Sequence, residues 1–313
     1  MNTPTFLRRR LLQVLPVLAG ILLVVFLVVR LIPGDPARIM LGIHASEERL
    51  ANLRTELGLD LPIWQQFGVF VGNIFQGELG TSLFYRRDVT DVILERLPVT
   101  VTLVGFSVLL SVLVCVPLAV AAAMRQGSWV DQAVRAISTL TLSMPGFWLG
   151  LNLLILFAVV YPFFPISGFG RGFWDILWHL TLPAITITLS LAPILIRTLR
   201  ASLIEILQAP HVEFARTKGL SERHLIQRHV LRNGLMATLT ILGVNIGWLM
   251  GGSVVIETVF SLPGLGALIV SSIAARDYPM IQGIALIFGL LVITINLVTD
   301  LLYAALDPRV TYE

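Results

Sequence analysis

The chain has 313 residues, of which 56% are hydrophobic and 13% charged, with a mean hydropathy of +0.86. A soluble domain carries roughly 25% charged residues, so this composition excludes a chain folded wholly in water and requires much of its surface to face lipid. The net charge of +3 gives no field suited to nucleic acid, and the single cysteine, Cys115, lies in an apolar run and cannot form an internal disulfide.

A bilayer core about 30 Å thick takes roughly 20 apolar residues of helix. The first such run is Leu11 to Ile32, behind Arg8-Arg9-Arg10. It is too long for a signal peptide and ends without a small-residue cleavage site, so it is an anchor. Five more runs follow: Val99 to Met124, Val134 to Val160, Thr181 to Ile196 with an extension through Leu199, Met236 to Ile256, and Ile281 to Tyr303. The expectation is an all-α membrane protein of six spans.

Positive charge in short loops sets orientation. A cytoplasmic N-terminus puts Arg8 to Arg10, Arg125, the basic stretch from Arg197 to Arg232 and Arg309 inside, leaving Arg171 and Arg276 on short outer loops. The segment from Pro33 to Pro98 then lies outside, and long loops translocate largely regardless of charge. Its stretches Ser46 to Leu57 and Ile63 to Phe75 are amphipathic and broken by Gly and Pro, which suits a helical cap. Both termini are expected inside. Ala267 to Ala275 is apolar but too short to span, as in a segment that dips into the bilayer or lies on its surface.

The polar inner loop 201–234 predicts two short helices at an angle. Gly219 is placed to close the first in the left-handed conformation, and Ser221 to cap the second, with Glu222 in its first turn. By composition alone the loop fits equally a basic segment resting on anionic lipid heads. The order of its residues adds more. Glu213-Phe-Ala-Arg-Thr-Lys-Gly219, then His229-Val-Leu-Arg-Asn233, resembles the coupling loop of binding-protein-dependent ABC importer permeases. Leu31-Ile-Pro-Gly-Asp-Pro-Ala37, Leu57-Gly-Leu-Asp60, Gly77-Glu-Leu-Gly80, Gly251 to Glu257, Pro263-Gly-Leu-Gly266, Arg276-Asp-Tyr-Pro279, Asp300 and Asp307-Pro-Arg309 extend the likeness to the dipeptide/oligopeptide/nickel permeases, first-subunit branch. Phe214 stands where the Glu-Ala-Ala pattern of that family's loop has its first alanine.

This resemblance implies a type I ABC importer permease in a bacterial inner membrane, working by alternating access. It divides the chain into residues 1–98 (first helix and periplasmic segment), 99–306 (a core of five helices) and a cytoplasmic tail, 307–313. It implies a homologous second permease, two ATPase subunits and a periplasmic or lipid-anchored solute-binding protein as partners. Glu213, Phe214, Ala215, Arg216, Lys218 and Gly219 would form the loop that docks on the ATPase. Peptides are the cargo the resemblance favours, with nickel, a metal chelate, glutathione or an opine as alternatives.

The chain has no GxxxxGK[ST] phosphate loop, so ATP and magnesium are expected on the partner ATPases and no cofactor or metal on this chain. None of His44, His179, His211, His224 and His229 falls into metal-binding or catalytic spacing. A self-powered transporter would show paired ionisable residues at mid-membrane and often repeated halves, and a membrane enzyme a nucleophile or metal cluster within a span. Neither pattern is present.

Gly243, Gly247 and Gly251 recur every four residues, which predicts close helix packing rather than a pore lining. Asn245, Asn296, Glu257 and Asp300 are expected to bond between helices, and Pro145, Pro183 and Pro193 to kink or break theirs.

Overall fold

A computed structural model describes residues 3–31, 38, 46–56, 58–226 and 230–306. His44, Arg228, His229, Asp307, Arg309, Leu57 and the run from Pro33 to Ala37 lie outside them. Among the described residues every extended element is helical, and the one β pairing is an isolated bridge between Thr81 and Asp88.

The helices in chain order are α1 (Thr3–Leu31), α2 (Glu47–Glu56), α3 (Ile63–Gln76), α4 (Val89–Met124), α5 (Trp129–Leu142), α6 (Gly146–Leu154), α7 (Phe173–Leu207), α8 (Pro210–Thr217), α9 (Glu222–Leu225), α10 (Leu231–Val259), α11 (Leu265–Ala274) and α12 (Tyr278–Leu306). A π-helical turn, Ile155–Val160, continues α6.

Among these residues three helices are long and apolar enough to cross a membrane, and five spans result when each of two bent pairs is counted as one. The first predicted span falls in α1, which runs from Thr3 to Leu31. The third is not one rod, because α5 and the α6 segment meet at 100°. Pro145 is the reason: it has no N–H for the preceding turn and instead stands at the N-cap of α6. Pro183 and Pro193, by contrast, sit inside an unbroken α7, so the expected break occurs at one of the three prolines. The short apolar stretch forms α11, ten residues long.

Contacts group the chain into two units, residues 1–98 with 268–293, and 99–267 with 294–313. In the first, Phe26 of α1 is buried and meets Phe67 of α3 edge-on at 5.2 Å and Phe70 at 5.6 Å. Close approach of backbones needs a small residue. A Cβ on Gly283 would stand 2.6 Å from Val89 Cγ1, and one on Gly289 2.8 Å from Ile21 Cδ1. The buried Asp277 accepts the Ser82 hydroxyl at 2.5 Å and the Phe84 N–H at 3.3 Å, fixing the turn after residue 80.

In the second unit α7 is the central helix. Leu180, Leu191, Leu195, Leu199 and Leu203 are all buried, and α5, α6 and α10 pack around them. A helix buried on most sides belongs to the inside of a bundle. The outward faces are apolar as well: Leu109, Leu113, Ile137 and Leu140 are exposed, as lipid-facing side chains must be. Inside, Ser111 donates to the Ser107 carbonyl at 2.7 Å and lies 3.2 Å from the Thr188 hydroxyl.

The glycine stripe is not one straight edge. α10 bends by 64° between Asn245 and Leu249, with Gly247 in the bend, and four-residue spacing marks one face only where a helix is straight. A Cβ on Gly243 would stand 2.6 Å from Thr299 Cγ2, whereas at Gly251 no described atom lies within 4 Å. Gly243→Leu should therefore overpack this contact and destabilise the chain by about 1–3 kcal/mol. Gly251→Leu should leave the isolated chain's melting temperature in detergent unchanged. Equal melting of the two variants would sink this assignment.

Candidate functional site

The loop between α7 and α10 builds a compact projection. Pro210 opens α8 at the first helical position, where its missing N–H is not needed and its φ is already helical. Glu213 occupies the first turn and Arg216 the last, each favourable to the helix dipole. The end of α8 is set by Gly219 at φ +80°. Its N–H donates to the Arg216 carbonyl at 3.0 Å and that of Leu220 to the Ala215 carbonyl at 3.4 Å, the paired bonds of a Schellman cap. Nothing lies within 4 Å of where a Cβ on Gly219 would be, so conformation rather than space dictates glycine there.

Across this turn Glu222, opening α9, accepts from Arg216 Nε at 2.6 Å and Nη2 at 3.3 Å. The Arg216 hydrogen bond holds the Glu222 carboxyl below its usual range, and the same bond raises Arg216. With a lowered folded-state value, the pair's contribution is fully present above the ordinary carboxylate range and is lost as pH falls below that range through the lowered folded-state value. Both side chains are half exposed, so the pair orients the two helices more than it stabilises them.

Of the six residues predicted to form the docking surface, five face outward and one does not. Glu213, Phe214, Arg216, Lys218 and Gly219 are exposed, while Ala215 is buried beside Val212 in the bundle's core. Helical spacing explains this: Val212 and Ala215, three apart, share the inward face. Phe214 is 61% exposed, with Lys218 Nζ 4.5 Å from its ring centroid. A large aromatic left in the open beside charged groups has the character of an interface anchor. The arrangement presents an exposed apolar knob on a short helix that follows closely on α7.

Two buried polar knots brace the unit that carries this loop. Asp131 in α5, 1% exposed, accepts from Arg200 Nε at 2.6 Å and Nη2 at 2.7 Å, and from the Gly127 N–H at 3.0 Å. It ties the last turns of α7, just before α8, to the start of α5. The sequence signal was an acid in the first turn of a largely apolar helix, but nothing in the sequence pairs it with an arginine 69 residues away.

The second knot is Glu257, which is fully buried in α10. One carboxylate oxygen accepts the Thr100 hydroxyl at 2.7 Å, and the other accepts the N–H groups of Gly266 and Ala267 at 2.7 and 3.1 Å. Thr100 in turn accepts the Leu265 N–H at 2.9 Å. These bonds cap the first turn of α11. Asn245 bonds within its own helix, to the Ile241 carbonyl at 2.8 Å, rather than to a neighbour. Among the described residues no group of three or more His, Cys, Asp or Glu side chains could hold a metal ion.

Residues 115–312 match the family model described as binding-protein-dependent transport system inner membrane component, and residues 4–104 match its N-terminal counterpart. The chain is 39% identical, over 97% of its length and 98% of the relative's, to a putative peptide transport system permease protein of Brucella abortus (strain 2308). It is 38% identical, over 98% and 99%, to the glutathione transport system permease protein GsiC of Salmonella typhi. Among solved structures, an inward-facing conformation of the MetNI methionine ABC transporter superposes with a TM-score of 0.57 at 19% identity, covering 69% of this chain and 96% of that one. That likeness is one of fold.

Proposed function

The chain belongs to the binding-protein-dependent transport system inner membrane component family, and from that membership we propose that it is one permease half of an ATP-driven importer for small peptides. Permeases of this family are membrane subunits without catalytic activity of their own. The cargo class is supported by the full-length relatives named for peptide and glutathione transport, glutathione being itself a peptide. The observation that carries the mechanism is the exposed α8–α9 projection with its glycine-set turn.

In this reading the translocation path lies between this chain and a homologous second permease, and each permease presents its projection to one of two ATPase subunits. ATP and magnesium bind on those subunits. When ATP closes the ATPase dimer, Glu213, Phe214 and Lys218 are carried with it. α8 is continuous in packing with α7 through the buried Val212 and Ala215, so the movement rocks the bundle about its centre. A solute-binding protein delivers cargo at the opposite face. Both termini and residues 201–234 face the cytoplasm of a bacterial inner membrane, following the arginine distribution.

Purification of the tagged chain in mild detergent should bring down a second permease and an ATPase in stable amounts. Recovery of the chain alone, under conditions where it transports when reconstituted, would contradict the subunit reading. Orientation has its own expected result. In a Cys115→Ser background, an impermeant thiol reagent applied to intact spheroplasts should modify Asp60→Cys and spare Glu222→Cys. Labelling of Glu222→Cys from outside would reverse the orientation.

A further inference from the structure

A cavity of about 150 Å³ opens between α5 and α7, and three arginines line it: Arg135, Arg197 and Arg200. Their only described acidic neighbour is Asp131, which holds Arg200 through Nε and Nη2 and lies 3.8 Å from Arg135 Nε. Arg200 thus keeps Nη1 outside that pair. Arg197 is exposed and has no hydrogen-bond or ion-pair partner among the described residues. Three guanidinium groups against one carboxylate leave two positive charges unmatched.

The rest of the lining is apolar or already committed. Leu142, Pro193 and Ile196 supply a hydrocarbon wall. The hydroxyls of Ser138 and Thr139 donate to the carbonyls of Val134 and Arg135 at 2.7 and 2.9 Å, so the arginines are the available donors. Exposed Ile137 and Leu140 continue the apolar surface along α5 outside the cavity.

Depth decides what such a site meets. α7 has 35 residues, about 52 Å of helix at 1.5 Å per residue, against a hydrocarbon core of about 30 Å. The excess leaves about 10 Å beyond the core at each end of a centred helix. Arg200 stands seven residues before the helix ends at Leu207, about 10 Å from that end, which is the level of lipid headgroups. Unmatched guanidiniums beside an apolar wall at that level suit a phosphate diester with an acyl chain attached.

We propose that the cavity between α5 and α7 is a binding site for the headgroup of an anionic phospholipid, held by Arg135, Arg197 and the free edge of Arg200. The occupied site would fix α5 against α7 at the base of the α8 projection, making the projection's rigidity dependent on lipid charge. The inference requires that the chain span a bilayer, and depends neither on the cargo nor on the orientation proposed above.

The test uses the intact chain, with its copurifying subunits, in neutral detergent, with dioleoyl phosphatidylglycerol and phosphatidylcholine as probes and native mass spectrometry as readout. Phosphatidylglycerol should bind at least tenfold more tightly than phosphatidylcholine. Arg197→Gln, which removes no internal contact, should weaken that binding about fivefold, the ratio expected for one basic residue at a lipid surface. Arg171→Gln, an exposed arginine elsewhere, should leave it unchanged. Equal binding of the two lipids, an equal effect of Arg171→Gln, or displacement of the lipid by millimolar inorganic phosphate would each overturn the assignment. The last result would mark a site for a small free anion.

Discussion

Gly219→Val is expected to abolish substrate-stimulated ATP hydrolysis in the reconstituted complex, by at least tenfold, while leaving insertion and protein level normal. The residue sits at φ +80°, where an L side chain costs about 1–2 kcal/mol and a β-branched one more. No atom lies within 4 Å of where its Cβ would stand, so the penalty begins with backbone conformation rather than with a clash at Cβ. The chain escapes it by leaving the left-handed region. That movement breaks the bonds from Gly219 and Leu220 to Arg216 and Ala215 and swings α9 away from α8, separating Glu222 from Arg216.

A series separates this cause from others. Asparagine tolerates the left-handed region best among non-glycine residues, so Gly219→Asn should couple almost normally and Gly219→Ala fall between the two. Glu213→Lys should give a milder defect than valine, because it reverses one exposed charge and leaves the turn intact. If the loop only rested on lipid heads, Gly219→Val would be nearly silent. Full coupling in that variant would defeat the lever, and an equal loss in Gly219→Asn would show that something other than backbone geometry is at work.

What the sequence makes legible is what local chemistry decides. Runs of apolar residues place the helices, because a bilayer demands both length and apolarity. The turn at Gly219 is readable because a helix stop, a cap and a charge pattern all lie within a dozen residues. The break at Pro145 is foreseeable only in part: three prolines carry the same local signal, and only the packed bundle decides that Pro183 and Pro193 remain inside α7. The glycine spacing presumes a straight helix, while α10 turns at Gly247, a bend that no local residue pattern announces. Ala215 reads as part of a surface motif, yet its helical phase puts it in the core. The buried knots are the least legible. Asp131 meets Arg200, and Glu257 meets Thr100, across 69 and 157 residues of chain, and no local pattern encodes such pairings.

The Glu257 knot carries the other large expectation: Glu257→Leu should prevent accumulation of folded protein. The carboxylate accepts three hydrogen bonds in a site closed to solvent. Leucine would leave the N–H groups of Gly266 and Ala267 and the Thr100 hydroxyl without that acceptor, each buried donor costing about 1–3 kcal/mol. The sum approaches the 5–15 kcal/mol that separates folded from unfolded states in a typical protein. The surroundings cannot close over the loss. A Cβ on Gly266 would stand 2.5 Å from Val254 Cα, and one on Gly264 would run into the Glu257 carboxylate itself, so the loop backbone is already wrapped tightly on this group. Glu257→Gln should be far milder. Its amide oxygen can take the two N–H groups at the start of α11, while its NH2 donates to Thr100 Oγ1, which has a second lone pair beside the one given to Leu265. The expected order in fluorescence-detected size-exclusion profiles and detergent melting is wild type, then glutamine a few degrees below, then leucine with no monodisperse peak. A leucine variant that melts with the wild type would show that the knot contributes little to holding α10 and α11 together.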